Sequence, residues 1–566
     1  MNKILRLPTE LSQQIAAGEV IERPFSVVKE LVENSLDAEA MEIAVELVSG
    51  GKSLIKVTDN GWGMSRDDAL ICFERHSTSK ISQQDDLGRI RTLGFRGEAL
   101  PSISAVSRVR LKTKTAESET GVLIEREGEE LVKVSDTAFP QGTCVEVRDL
   151  FFNLPARRKF LRSERSELSM IIKYLTNAAL AFPEIKFTLV HGKRKNINYP
   201  AVNSLRERIF QIYGRSVLDN LMEVDYEENR SKVYGFASRP PSGILNRKHQ
   251  IYFINKRPVR ESSIQAAINQ AYEGILEKNL FTEAFLFISV PLEDVDVNVH
   301  PAKSEVRFKD SSSVFLLVKR SIENAVLRGS GVKEIYPSRG QTTEGSGISE
   351  KEMSTYFKIT EDRGSGIQKS FLPHEPKVED SVNVLGQFKE SYIIAVKDEG
   401  IYIIDQHNAH ERILFDKYMD IDRKKNWPQK QPLFSVVFDL TPHQIFLLEH
   451  NQKLLEETGF KIETMGKQSF VLKEFPDIFE EKEAEEVLIS ILEELDGEKS
   501  EGKKNKLLAT LACKTAVKAG QRLPQEKMEY LVTTLFKTSN YSLCPHGRPV
   551  LLKIDQNEVE KGLKRK

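Results

Sequence analysis

The strings DQHNAHERI, from Asp405 to Ile413, and CPHGRP, from Cys544 to Pro549, gather residue types that can do chemistry together. Asp405, His407 and Glu411 in the first and Cys544 and His546 in the second offer carboxylate, imidazole and thiolate donors, and Cys513 stands between the strings in LLATLACKTAVKAG. Mixed donors of this kind suit zinc, while carboxylates alone suit manganese or magnesium. The spacing is not that of a zinc finger, because only Cys544 and His546 are close in the chain. From residue types alone two readings stay open, a metal centre or buried thiols beside solvated histidines.

A second group lies near the N-terminus. Glu30 and Asn34 are four apart and share a face of any helix that holds them. A carboxylate there can align a water as general base, and the carboxamide can ligate magnesium, which takes hard oxygen donors. A solvated helix face would read the same way. Downstream come Asp59-Asn-Gly61-Trp-Gly63, then Gly94-Phe-Arg-Gly97, then Gly142-Thr143, whose glycines free the backbone to approach a ligand closely. The string GGKS at Gly50 to Ser53 is not a Walker loop, since Glu46 stands where that motif needs its first glycine. A phosphate site in this region must be built another way.

The elements that position these groups follow from periodicity. A helix is predicted from about Pro24, a good first-turn residue, with Val27, Val28, Leu31, Val32 and Leu36 as its apolar stripe. Strand-like SLIKV leads into Asp59, and VEVRD follows Thr143. Further on, IYFIN, the helical ESSIQAAINQAYEGI and AFLFISV form a predicted βαβ unit. In the last third, SYIIAVK and IYIID flank Asp398-Glu399-Gly400, a predicted hairpin that runs into a helix. Asp405 closes the strand, and His407 and Glu411 face one way on the helix.

Length and composition set the frame. A chain of 566 residues with 40% hydrophobic residues holds three or four domains, each able to bury a core. The net charge of −1 excludes a global basic field, so DNA binding would rest on local runs such as Arg157, Arg158 and Lys159 or Lys193 to Lys195, which also read as solvated surface. No apolar stretch reaches membrane-spanning length and the first residues lack a signal-peptide layout, so the expectation is a cytoplasmic protein with no membrane association. Four scattered cysteines fit a reducing compartment. Between about Arg328 and Glu379 small, polar and charged residues dominate and predict a flexible linker, and a weaker boundary falls at Tyr199 to Ser204. The expected division is 1–203, 204–327, 328–380 and 381–566.

Taken in order and spacing, E-x-x-x-N, D-x-G-x-G, GFRGEAL and GT resemble the GHKL ATPases, the superfamily of gyrase, histidine kinases and a heat-shock chaperone class. The strings IAAGEVIERP, RHSTSKI and NVHPAKSEVRF narrow the resemblance to the MutL family of mismatch-repair ATPases. It implies an α+β multidomain fold: an N-terminal GHKL α/β sandwich, a second domain like a ribosomal-protein fold that transduces nucleotide state, a linker, and an α/β C-terminal dimerisation and nuclease domain. By the resemblance Glu30 is the general base, Asn34 ligates Mg2+, and Asp59 reads the exocyclic amine of adenine in ATP. Gly61, Gly63, Gly94, Gly97 and Thr143 line the pocket, Thr78, Ser79 and Lys80 belong to an ATP lid, and Lys303 reaches the γ-phosphate from the second domain. Pro101 departs from the usual Ser after GEAL, beside rather than within the phosphate contacts.

The same resemblance bears on the C-terminal strings, which are similar to the endonuclease motif DQHA-x-x-E-x-x-x-x-E and the second metal string of nicking members of the family. It implies Mn2+ or Zn2+ held among Asp405, His407, Glu411, Asp416, Cys513, Cys544 and His546, with Asp405 and Glu411 catalytic. Two positions depart, Asn408 for Ala and Asp416 for the final Glu. Asp416 is one methylene shorter and lies about 140° round the helix from Glu411, and Asn408 is expected to disturb the helix start, since Asn prefers caps. Implied partners are DNA, MutS, a second copy of the chain, and a sliding clamp through WPQKQPLFSV with Leu433 and Phe434. Arg257 and Arg260 are implied DNA contacts. Two functional classes remain, an ATP-gated metal-dependent endonuclease and an ATP-switched matchmaker that licenses a separate nuclease.

Overall fold

The computed structural model describes residues 20–80, 92–94, 97–240, 250–259, 261–273, 275, 282–296, 306–329, 382–398, 400–466, 468–496, 502–518, 520–538, 540–563 and 565. The predicted first helix spans Pro24–Asp37 with proline in its first turn, and it buries Val27, Val28, Leu31 and Val32, with Leu36 partly buried against the same core. That apolar stripe packs on an eight-stranded sheet and on the Glu164–Ala181 helix.

The sheet contains β1 (Glu42–Val48), β2 (Leu54–Asp59), β3 (Arg108–Lys114), β4 (Gly121–Glu127), β5 (Glu130–Thr137), β6 (Gly142–Arg148), β7 (Lys186–His191) and β8 (Arg194–Tyr199). Their order is β5-β4-β3-β6-β2-β1-β7-β8, antiparallel throughout except for the parallel pair β1 and β7. Alternate residues Ile43, Val45 and Leu47 of β1 and Ile55 and Val57 of β2 face the helices, the period of two that makes a half-buried sheet. The β2–β6 register places Asp59 opposite Thr143, so two distant strings meet at the ends of neighbouring strands in the middle of the sheet.

A second sheet holds β9 (Leu221–Glu228), β10 (Ser231–Ser238), β11 (Gln250–Ile254), β12 (Arg257–Pro258) and β13 (Ala284–Ser289), in the order β12-β11-β13-β10-β9. β11 and β13 run parallel and the Ser262–Ala271 helix joins them, which is the predicted βαβ unit. Ile264, Ala267, Ile268 and Ala271 supply that helix's buried face.

The predicted hairpin also forms. Tyr392–Lys397 and Gly400–Asp405 pair antiparallel inside a four-stranded sheet that includes Asn383–Phe388 and Leu551–Asp555. The chain then enters the Gln406–Arg423 helix, which packs on the Lys503–Thr515 and Gln525–Leu535 helices. A smaller sheet pairs Ser469–Pro476 with Gln429–Lys430, Val436–Asp439 and Lys461–Thr464. The expected linker lies outside the described residues, apart from the end of the Ser311–Gly329 helix. Among the described residues no helix is long and apolar enough to cross a membrane.

Candidate functional site

Two constellations emerge, one on the first sheet and one at the Gln406–Arg423 helix. At the first, Asp59 ends β2 with its carboxylate turned inward. Its Oδ1 accepts from the Gly61 amide at 3.0 Å and the Thr143 amide at 3.2 Å, and its Oδ2 from the Ser35 hydroxyl at 2.8 Å. Burial pushes the Asp59 carboxyl above its ordinary value, and the donors from Gly61, Ser35 and Thr143 oppose that shift. Gly63 has φ +71, and a Cβ there would sit 2.0 Å from the Lys114 carbonyl oxygen, so the loop can pass only as glycine.

On the Pro24–Asp37 helix, beside Ser35, Asn34 Oδ1 accepts from the Lys80 ammonium at 2.8 Å, and the same ammonium lies 2.6 Å from Asp37 Oδ2. Asp37 also receives the Leu93 amide at 2.8 Å and the Gly94 amide at 3.0 Å. Asn34, Lys80 and Gly94 therefore converge, as their assignment to one site requires, and Asp37 is the hub that joins them. Lys80 also donates its backbone amide to Thr78 Oγ1 at 3.2 Å. Gly97 has φ +64 and its carbonyl receives the His76 amide at 3.2 Å, a contact three residues before Ser79 in the chain. Glu30 is half-buried on the same helix, near the Tyr174 ring. Lys303 and Arg260 lie outside the described residues.

Asp37 and Ser35 were not among the expected residues. The signal for Asp37 was present in spacing, because Glu30, Asn34 and Asp37 stand at i, i+4 and i+7 and so form one polar stripe. Arg257 is corrected as a DNA contact: it is 8% exposed and its guanidinium donates to the Thr92 carbonyl, so it is not presented to a phosphate backbone.

At the second constellation, Glu411, Cys544 and His546 form, among the described residues, a group whose ligand atoms all lie within 4.8 Å of one another. His546 Nδ1 is 2.6 Å from Glu411 Oε1, and the carboxylate is 2% exposed. Burial alone would raise the Glu411 carboxyl, but the His546 hydrogen bond and charge outweigh it and hold it below its ordinary value. Burial and then the nearby Glu411 charge push the Cys513 thiol up to about 11, and burial raises Cys544 as well. Cys513 thus borders Glu411 from the neighbouring helix. A buried carboxylate, a thiol and an imidazole at this separation fit a zinc-like ion.

Asp405, His407 and Asp416 sit outside that group. Asp405 is the helix N-cap and accepts from the Asn408 amide at 2.9 Å. His407 Nδ1 donates to the Val517 carbonyl at 2.9 Å, which leaves Nε2 as the ring nitrogen that could ligate. The neighbouring His410 accepts the Val517 amide, and burial first, then adjacent cations, lowers it to about 4. Asp416 is ion-paired to Arg412 one turn back. Asn408 does not disturb the helix start: it lies in the first turn, buried, and its side-chain amide donates to the Pro549 carbonyl at 3.1 Å. The four cysteines are free thiols. In the expected clamp-binding peptide, Leu433 and Phe434 are 89% and 81% exposed.

Three family descriptions match the chain. Residues 21–137 match the histidine kinase-, DNA gyrase B- and HSP90-like ATPase, residues 209–327 the DNA mismatch repair protein C-terminal domain, and residues 385–523 the MutL C terminal dimerisation domain. The last match ends before Cys544. Among curated proteins, the DNA mismatch repair protein MutL of Koribacter versatilis is 35% identical over 100% of both chains. That of Acidobacterium capsulatum is 36% identical over 100% of both, and that of Syntrophomonas wolfei 37% identical over 98% of both.

Proposed function

Because the chain belongs to the MutL family of DNA mismatch repair proteins, we propose that it couples mismatch recognition by MutS to incision of DNA by its own metal-dependent endonuclease. The family membership brings a GHKL-type ATPase that binds ATP and a dimerisation domain that makes the working unit a homodimer. The proposed division of labour is 1–203 for nucleotide hydrolysis, 204–327 for transduction, 328–380 as linker and 381–566 for dimerisation and cleavage.

In the first domain Glu30 draws the proton from the attacking water, Asn34 holds magnesium and Asp59 accepts from the adenine amine. Preformed bonds from Ser35, Gly61 and Thr143 support the role of Asp59, because they fix its carboxylate before any ligand arrives. Lys80 already rests on Asn34 and Asp37, a position from which the lid can carry its charge to the phosphates. Lys303 is assigned to the γ-phosphate from the second domain.

The single observation behind the nuclease reading is the convergence of Glu411, Cys544 and His546 from strings more than 130 residues apart. Those three, with Cys513 beside them and His407 one turn back, would hold the ion; Asp405 orients the helix as its cap. Bound there, zinc or manganese would supply Lewis acidity toward a phosphodiester oxygen. Exposed Leu433 and Phe434 support a further proposal, contact with a sliding clamp.

Nicking of supercoiled plasmid by the purified full chain with manganese tests the reading. Wild-type nicking that is abolished by EDTA and by Glu411→Ala is expected. Folded wild type that never nicks, with clamp and ATP present, would establish the alternative class, a matchmaker that licenses another nuclease.

A further inference from the structure

Arg257, on the second sheet, donates across to the first domain. The two-residue turn Asn255-Lys256 has φ +47 and +66, and it presents Arg257 opposite Ile254 in the β11–β12 pair. The turn is pinned from below: the Asn255 side chain exchanges hydrogen bonds with the Val290 amide and carbonyl, each at 3.1 Å. The Arg257 guanidinium donates to the Thr92 carbonyl, and Glu33 and Asp37 supply the nearest opposing charges.

Thr92 leads into Gly94, an expected residue at the edge of the nucleotide pocket. Its hydroxyl donates to the Gly94 carbonyl at 2.8 Å, and the next two amides, Leu93 and Gly94, are those received by Asp37. The edge is therefore gripped from two sides, by a carboxylate of the helix that carries Glu30 and Asn34 and by a guanidinium of the second sheet. We propose that Arg257 is a positioning residue of the ATPase, through which the second sheet holds the Thr92–Gly94 edge in the form that receives nucleotide. The inference rests on the ATPase reading of the first domain and adds a residue to it that touches no substrate.

A positioning role and a merely structural one separate in the kinetics. If Arg257 holds the edge, Arg257→Ala raises KM for ATP about tenfold, the loss of one charge-assisted hydrogen bond, while kcat per folded chain changes less than about twofold. Arg257→Lys, which keeps a donor and a charge, recovers part of the KM. In an Asp37→Asn background the Arg257→Ala change adds less than about twofold, because both grips act on one segment. These constants are measured on the full chain without DNA, with thermal melts to count folded protein and with wild type against Glu30→Ala to establish that turnover comes from this site. An unmoved KM with kcat falling only as folded protein is lost overturns the proposal. So do a lysine variant no better than alanine and effects of Arg257 and Asp37 that multiply in full.

Discussion

Asn408 donates its side-chain amide to the Pro549 carbonyl at 3.1 Å and so ties the start of the Gln406–Arg423 helix to the CPHGRP loop. The first string contributes Glu411, and the second contributes Cys544 and His546. A residue that departs from the family's usual alanine thus bridges the two halves of the candidate metal centre. Asn408→Ala is expected to cost about 1–2 kcal/mol, the loss of a buried hydrogen bond, and to lower the melting temperature of the C-terminal domain by roughly 2–4 °C. Nicking should fall or stay level. A calorimetric scan beside a plasmid assay checks both, and a variant that melts higher and cuts faster would refute the bridging role.

Asp416 and Glu411 make a sharper contrast. The Arg412 guanidinium already pairs with Asp416, whereas Glu411 sits buried among the cluster. Removal of a ligand or its close support commonly costs 10- to 100-fold in metal affinity or activity. Glu411→Ala is expected to fall at or beyond that range, and Asp416→Ala to stay within about threefold of wild type. Bound zinc counted after dialysis gives a second readout: Glu411→Ala and Cys544→Ser lose the ion and Asp416→Ala keeps it.

Ser35 is expected to act on nucleotide affinity through Asp59, whose carboxylate it donates to. Burial raises the Asp59 carboxyl and the Ser35 hydroxyl is one of the donors that lower it again. A raised folded pKa means that acidification does not unfold the chain through this group, since the folded state binds the proton more readily than the unfolded one. It does mean that the ionised form, which in the proposed role accepts from adenine, is lost at a higher pH than for an ordinary aspartate. ATP affinity is therefore expected to weaken on acidification, and Ser35→Ala should move that loss to still higher pH while raising Kd at neutral pH roughly three- to tenfold. Titration of binding against pH for both chains checks the order; a lower midpoint in the variant contradicts it.

What the sequence disclosed, and what it hid, follows from the range of the interactions. The Pro24–Asp37 helix, its apolar stripe and the 392–405 hairpin are local patterns, and each formed as spacing predicts. Asp37 is local too and could have been found on the helical stripe, but its partners Leu93 and Gly94 are backbone amides, which leave no mark in a string of side chains. Arg257 was misassigned because a basic residue reads as surface unless the carbonyl that receives it is known. The cluster of Glu411, Cys544 and His546 was anticipated by type, while the separation of Asp405 and Asp416 from it depends on an N-cap and an i,i+4 ion pair that compete locally for the same carboxylates.

Two glycines test how far the pocket depends on close backbone approach. Gly63 and Gly192 both have left-handed φ, +71 and +61, so alanine pays similar conformational strain at each, about 1 kcal/mol. Their surroundings differ. A Cβ at Gly192 meets nothing within 4 Å, whereas at Gly63 it meets the Lys114 carbonyl oxygen at 2.0 Å and the Gly142 carbonyl oxygen at 3.2 Å. Relief at Gly63 requires β3 or the start of β6 to move, and β6 carries the Thr143 amide that holds Asp59. Gly192→Ala is expected to lower stability by about 1 kcal/mol with ATP affinity unchanged. Gly63→Ala should cost several times more and abolish measurable ATP binding even in the fraction that folds. Denaturant melts and equilibrium nucleotide binding on the two variants separate the strain they share from the collision only one of them has; equal losses at both positions would mean that the loop yields freely and that its approach to Lys114 does not shape the site.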